Sequence, residues 1–281
     1  MTRRIALVKH TRPGVAQQAE FVSAAVAELG GTILPEGRLR EADLVLILGG
    51  DGTILMAAEL VRGTPIPLLG VNFGHVGFLA EADPESLHDV VNRVVSGDYA
   101  VDERMAIEVA VTTPDGVTTT GWALNEVALL KVDRARMVEL AFGVDGRAVS
   151  SFGCDGLVMA TPTGSTAYAF SGGGPIVWPN VEALLAVPIA AHALFSRPLV
   201  VGPDSEMTVH LDTHLASDAE IWCDGRRRIA APHGTMVTVR RSPEPVLLAR
   251  LSDTPFSGRL VAKFSLPVRG WRDRLEGSAR R

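Results

Sequence analysis

Cysteine is nearly missing from this chain of 281 residues, which has only Cys154 and Cys223. They stand far apart without metal-ligand spacing, so neither a disulfide framework nor a zinc module is expected, and a cytoplasmic setting with reduced thiols is. Positive charge is not in excess either: 27 Lys and Arg against 32 Asp and Glu give a net charge of −5. The chain thus lacks the electrostatic footprint of a nucleic-acid binder, and any anionic ligand must be held by local geometry. No segment reaches the roughly 18 apolar residues of a membrane span. The N-terminus, Met1 to Val8, runs into a strand pattern without the apolar stretch of a signal peptide, so no membrane partner is expected. No G-x-G-x-x-G follows a first strand and no Walker-A lysine occurs, which argues against a Rossmann dehydrogenase and a P-loop enzyme. Fixed-period repeats and low-complexity segments are also lacking.

What the chain does have is 47% apolar residues, ample for a packed core, and length for about two domains. It turns on residues 43–56. The apolar run Leu44 to Leu48, between Asp43 and Gly49, has the length and branched composition of a strand buried on both faces. Beyond Thr53, Ile54, Leu55, Ala58 and Val61 fall at helical spacing, so Gly49-Gly50-Asp51-Gly52-Thr53 is a tight strand-to-helix turn. Its glycines let the backbone approach a ligand, and the helix start offers N–H groups to phosphate. Asp51 is out of keeping with anion binding. It either caps the turn or acts on something bound beside the phosphates.

In chain order, Ile5 to Val8 reads as a strand, Gly14 to Leu29 as a helix, Thr32 to Leu34 as a strand and Pro67 to Val71 as a fourth. This alternation predicts an α/β domain with a doubly wound, mostly parallel sheet, whose ligands bind at the carboxyl ends of the strands. A second Gly-rich loop, Asn72 to Phe78, follows the fourth strand. Its His75 is either a ligand-facing base or a loop residue satisfied by backbone. Pro84 to Val95 reads as a helix, and Ser96-Gly97-Asp98 closes a first domain at residues 1–98. From Tyr99 the period becomes two, with turns at Asp115-Gly116, Asp145-Gly146 and Asp224-Gly225. Residues 99–252 therefore read as an all-β, sandwich-like domain. The tail, 253–281, is a candidate to pack back on the first domain.

Two stretches of the β region carry chemistry. In Asp155 to Pro175, Pro162 and Gly164 make a turn, and Ser165 or Thr166 can cap a short helix ending near Ser171. Small hydroxyl residues and the single Tyr168 suit a nucleotide, although the composition alone equally fits a plain Ser/Thr/Gly loop. Asn125-Glu126 interrupts the apolar run Trp122 to Leu130. Glu126 either points to solvent from a half-buried strand or joins Asn125 in gripping a ribose, since a carboxylate accepts from hydroxyls and an amide both donates and accepts.

The turn Gly49 to Thr53, the loop Gly70 to Phe78, Asn125-Glu126, Asp155-Gly156 and Thr161 to Tyr168, in this order, resemble the bacterial NAD kinases over nearly the whole chain. The first turn alone is shared with diacylglycerol and sphingosine kinases and, more loosely, with phosphofructokinases. The resemblance implies transfer of phosphate from ATP or inorganic polyphosphate to NAD, giving NADP. By it Asp51 is the catalytic acid that takes the proton of the 2′-hydroxyl of the adenosine ribose, while Gly50 and Gly52 let the phosphates approach. Asn125 and Glu126 match a dinucleotide-binding pair, and Asp155 an acid near the nicotinamide end. Thr163, Thr166, Ala167, Tyr168, Ala169, Phe170 and Ser171 match the loop that encloses adenine and ribose. Arg136 falls where relatives often carry a basic residue, and Ala190 in a stretch that reaches a nucleotide across a subunit boundary. A homodimer or homotetramer and a divalent cation, Mg²⁺ first, are implied as well, with no metal ligands assigned. Gly153-Cys154 stands where many relatives carry an arginine, which leaves the substrate pyrophosphate without an assigned cation, and Ala191 stands where proline is common. The alternatives are a lipid or other small-molecule kinase sharing the first turn, and an NAD-binding regulator without turnover.

Overall fold

The computed structural model describes residues 2–72, 77–80, 87–193, 196–212, 217–251 and 255–268. These form two compact units, one from residues 1–103 with 247–281 and one from residues 104–246.

In the first unit, β1 (Arg4–Lys9), β2 (Thr32–Ile33), β3 (Leu44–Leu48), β4 (Leu68–Val71), β5 (Ala100–Arg104) and the last strand of the chain, β18 (Val246–Arg250), form one sheet. Their order is β2-β1-β3-β4-β18-β5. The pairs β1–β2, β1–β3, β3–β4 and β4–β18 are parallel. All five residues of β3 are buried, because helices cover both faces. On one face α1 (Val15–Glu28) and α3 (Leu87–Ser96) pack Val22, Val26, Val91 and Val94 against Leu44, Leu46 and Leu69. On the other lies α2 (Asp51–Val61), so close that a Cβ on Gly70 would overlap Ile54. The doubly wound sheet expected from the alternation is what forms. His75 and the start of the helix expected from Pro84 lie outside the described residues.

The second unit is a sandwich of two antiparallel sheets. One contains β6 (Ile107–Thr112), β7 (Thr118–Ala123), β9 (Val138–Val144), β10 (Arg147–Cys154), β14 (Met207–Leu211) and β17 (Met236–Arg241). The other contains β8 (Glu126–Lys131), β11 (Gly156–Ala160), β12 (Leu184–Ile189), β13 (Leu199–Val201), β15 (Ala219–Cys223) and β16 (Arg227–Ala231). Their orders are β10-β9-β14-β17-β6-β7 and β13-β12-β11-β8-β15-β16. Between them Val109, Leu140, Phe142 and Val209 meet Val127, Leu129, Leu157 and Ile221 in one core. The strands of the first sheet alternate inward apolar with outward polar residues, as in β6 and β14. In the second sheet β11 is buried throughout, because its outer face is covered too. There the short helix α4 (Tyr168–Ser171) sets Ala169 against Val158, Ala160, Leu185 and Val187.

The unit boundaries differ from those read in the sequence. The expected break at 98 falls at 103, and the strand at 246–250, expected in the second domain, joins the first sheet with Leu248 beside Leu68. Alternating apolar residues reveal a strand but not the sheet it joins. The described part of the tail forms α5 (Phe256–Phe264), which does pack on the first unit: the rings of Phe256 and Phe264 lie 5.8 and 5.9 Å from that of Phe78.

Candidate active site

Asp51 is the first residue of α2, at the carboxyl end of β3, with Gly50 as its N-cap. The first acceptor inside the helix, the Gly50 carbonyl, takes the amides of Thr53 and Ile54, at 2.9 and 3.2 Å. The amides of Asp51 and Gly52 precede it and are left for a ligand, as at any helix start. The carboxylate does not cap its own helix. It turns to the stretch after β4, where the amides of Phe78 and Leu79 donate to Oδ2 and Oδ1 at 3.0 and 3.1 Å. Gly77 makes the approach possible, since a Cβ there would overlap the carboxylate. Asp51 is thus not a simple turn cap but an acid fixed by two main-chain donors.

The second unit gathers several of the expected residues at one end of the β8–β11 pair, where Glu126 faces Ala160. The apolar run from Trp122 to Leu130 is not one strand: at Leu124-Asn125 the chain leaves β7 in one sheet and enters β8 in the other. The crossing takes the amides of residues 124–126 out of a ladder. The Asp224 carboxylate takes them instead, at 3.0 Å from Leu124, 2.7 Å from Asn125 and 3.4 Å from Glu126. Arg227 balances that buried charge at 2.9 Å, its guanidinium 4.5 Å from the centre of the Trp122 ring. Asp224 was legible only as a turn residue. A positive φ of 53° at Asp224 belongs to that turn, and its carboxylate's task depends on residues a hundred positions away.

Asn125 and Glu126 are both buried, which removes the solvent-facing reading of Glu126. Burial first, and then the Asp224 carboxylate, push the Glu126 carboxyl up to about 8, against an opposing hydrogen bond from the Tyr168 amide. Its Oε2 has no protein partner. A carboxyl in this state is protonated at neutral pH and has a hydrogen bond to give to a ligand oxygen.

The loop after β11 is pinned to this end. The Thr161 amide donates to the Asn125 carbonyl at 2.9 Å and its hydroxyl to Leu124 at 2.6 Å. A Cβ on Gly164 would overlap the Asn125 backbone. Ser165 does not cap the helix as expected: its buried hydroxyl donates to the Pro162 carbonyl at 2.6 Å and accepts from Val177 at 2.9 Å. Thr166 turns back to the Thr163 carbonyl at 3.2 Å, and Ala167 is the N-cap of α4 with no side-chain cap. Thr163 is buried, Ala167 is half-buried, and Tyr168, Phe170 and Ser171 are exposed. Ala169 is fully buried against the sheet, backbone included, and its carbonyl accepts from the Gly174 amide at 2.8 Å, so it seats the loop rather than facing a ligand.

Asp155 and Ala190 lie at the opposite end of the same sheet, where Gly156 is paired with Ile189. The five residues of β11 separate the two ends, a span of about 17 Å for a strand of that length. Asp155 is bonded to Lys131 at 2.5 Å. Lys131 is the cation that sequence reading did not find, and it occupies this end where Gly153-Cys154 offers none. Cys154 is buried, and burial pushes its thiol up to about 12, which makes it inert. Ala190 follows β12 with φ 48°, an uncommon conformation for alanine. Arg136 is 72% exposed in the loop after β8, 3.9 Å from Asp133. Among the described residues no three His, Cys, Asp or Glu side chains converge as a metal cage. No described helix is long and apolar enough to cross a membrane.

Residues 34–99 match the model of the ATP-NAD kinase N-terminal domain, and residues 124–251 that of the ATP-NAD kinase C-terminal domain. An NAD kinase of Leifsonia xyli subsp. xyli is 56% identical over 254 residues, which are 90% of this chain and 82% of that protein. The crystal structure of an NAD kinase from Archaeoglobus fulgidus in complex with ATP superposes with a TM-score of 0.78 at 29% identity, over 94% of this chain and 100% of that one. Yeast NADH kinase complexed with NADH shares the fold, with a TM-score of 0.85 at 23% identity over 96% of this chain and 89% of that one. With both domain models matched and more than half of its residues identical to those of a bacterial relative, the chain belongs to the ATP-NAD kinase family.

Proposed function

We propose that this protein is an NAD kinase that transfers the terminal phosphoryl group of ATP, or of inorganic polyphosphate, to the 2′-hydroxyl of the adenosine ribose of NAD. The observation that carries the reading is the carboxylate of Asp51, fixed by two main-chain amides on a helix start whose own first amides are left for phosphate. A phosphate-binding turn has no need of an acid, but a kinase does. A hydroxyl is a weak nucleophile, and a carboxylate within hydrogen-bond reach orients it and accepts its proton. The ribose oxygen forms a bond to the terminal phosphorus, the bond from phosphorus to the bridging oxygen breaks, and the shortened donor leaves with that electron pair. The proton passes to Asp51.

The second unit supplies the dinucleotide-binding residues. Glu126, protonated, donates to a ribose oxygen, Asn125 does the same or accepts, and the exposed ring of Tyr168 stacks on the adenine. Asp155 and Lys131, at the other end of the sheet, suit the nicotinamide end and the pyrophosphate. A divalent cation, Mg²⁺ first, would neutralise charge on the donor phosphates, held mainly by those phosphates with at most one or two carboxylates from the protein. The same reading includes a cytoplasmic setting and a homodimer or homotetramer. Exposed Phe170, Trp178, Val181 and Val200 in the second unit are suited to subunit contact.

The test is an incubation of the purified protein with ATP or polyphosphate, Mg²⁺ and either NAD or diacylglycerol. The expected outcome is NADP from NAD and no product from the lipid. A regulator would bind NAD and yield nothing, and NAD binding without NADP would end the kinase reading.

A further inference from the structure

We propose that Arg259, together with Arg250, positions Asp51 for proton acceptance by clamping the main chain of residues 78–80; the inference rests on Asp51 being the base. The peptides of this segment carry the two sides of one device. Their N–H groups, from Phe78 and Leu79, hold the carboxylate oxygens of Asp51. Their carbonyls face two guanidinium groups. Arg250, at the end of β18, donates to the Leu79 carbonyl at 3.4 Å and pairs with Asp102 at 3.3 Å. Arg259, on α5, spends one nitrogen on two carbonyls, those of Ala80 at 3.1 Å and Phe78 at 3.5 Å. On the same turn of chain the Phe78 ring lies between those of Phe256 and Phe264.

A cation on the carbonyl side of a peptide strengthens the hydrogen bond given by its N–H side, since bonds in a chain polarise one another. Of the two amides that grip Asp51, that of Leu79 shares its peptide with the Phe78 carbonyl and is strengthened from behind by Arg259, while the contacts to the Leu79 and Ala80 carbonyls fix the path of the main chain that aims both. Burial lowers both guanidinium pKa values, and the charge of Asp51 acts in the opposite direction on each, so both sit within electrostatic reach of the base. Arg250 is tied into the sheet through Asp102. Arg259 comes from a helix that has no buried residue, and it reaches this segment through the carbonyls of Phe78 and Ala80. The two carbonyls converge on one guanidinium nitrogen, so a lysine ammonium, a point charge with several donors, can replace it in part. In this arrangement α5 sets the direction of the Asp51 carboxylate without either arginine having to touch substrate.

The test is a double-mutant cycle. Arg259→Ala and Arg259→Lys are made in the full-length protein and again in an Asp51→Asn background, and kcat, the Kd for NAD and the melting temperature are measured for each. A misdirected base is expected to cost Arg259→Ala between roughly tenfold and a hundredfold in kcat. The Kd for NAD stays unchanged and Arg259→Lys recovers part of the loss. In the Asp51→Asn background neither substitution lowers kcat further, because the group they act through is gone. Equal fold losses in both backgrounds would overturn the proposal and make Arg259 a direct contact or a stability residue. A rise in KM at constant kcat, or a lower melting temperature with no effect on kcat, would overturn it as well. An unmodified protein that makes no NADP would defeat the kinase reading itself, which is a separate result.

Discussion

Two buried or half-buried carboxyl groups, one in each unit, are treated in opposite ways. Asp51 faces donors: two amides touch its oxygens, and two guanidinium groups hold carbonyls of the same segment, Arg259 those of Phe78 and Ala80 and Arg250 that of Leu79. Glu126 faces burial and another carboxylate, with one amide in opposition and one oxygen unused. The first environment fixes the direction of the carboxylate, with one amide on each oxygen. The second makes a neutral acid that has a proton to share with a bound hydroxyl. The proposed roles, Asp51 as base and Glu126 as hydrogen-bond donor, rest on this difference in partners.

Asp51→Asn keeps size and hydrogen bonding but removes the base, so it strikes the comparison at its centre. Turnover is expected to fall by about two to four orders of magnitude with NAD affinity little changed. Steady-state kinetics alongside calorimetry will show it, and near-normal turnover would return Asp51 to the rank of a turn residue.

The next largest effect is on the other side. Asp224→Ala strips the acceptor from three amides and removes the carboxylate of an ion pair with Arg227 where the Asp224 side chain is 1% exposed. A loss of about 3–5 kcal/mol is expected in chemical denaturation, the range for breaking a buried pair. Tyr168→Ala should be smaller. Loss of a stacking ring weakens NAD binding by about 1–3 kcal/mol, while the melting temperature holds because the ring is exposed. A change in stability alone would assign Tyr168 to the core instead.

Glu126→Gln is expected to have the smallest effect, and it is the one that sharpens the contrast. The native carboxyl is moved from its ordinary 4.5 to about 8, so between these values the folded protein holds a proton that the unfolded chain has released. Stability from this group therefore falls as pH rises through that window and is undiminished below it. The glutamine has no such cost. Its melting temperature should gain about 2–4 °C on the wild type near pH 8, and less or nothing near pH 5. An equal difference at both pH values would show that Glu126 does not carry its proton.

Much of the first unit was legible. Leu44 to Leu48 had to be a strand buried on both faces, and two glycines with helical spacing beyond them had to be a turn at the edge of a parallel sheet. The residues that make Asp51 and Glu126 differ were not. Asp224, Arg250 and Arg259 are ordinary charged residues on a turn, a strand and a terminal helix, and each acquires its role from a partner distant in sequence. The same holds for β18, whose alternation says strand and whose sheet is decided by a pairing with β4. Ser165 and Thr166 carried a cap signal that tertiary structure overrode, because the turn needed the Ser165 hydroxyl to hold Val177.

The central claim, phosphorylation of one particular hydroxyl, is tested most directly by phosphorus NMR of the product formed from NAD and ATP. A single new phosphomonoester on the 2′-oxygen of the adenosine ribose is expected, formed by the wild type and almost undetectable with Asp51→Asn over the same time. Phosphate on any other hydroxyl, or product formed equally well by both proteins, would contradict it.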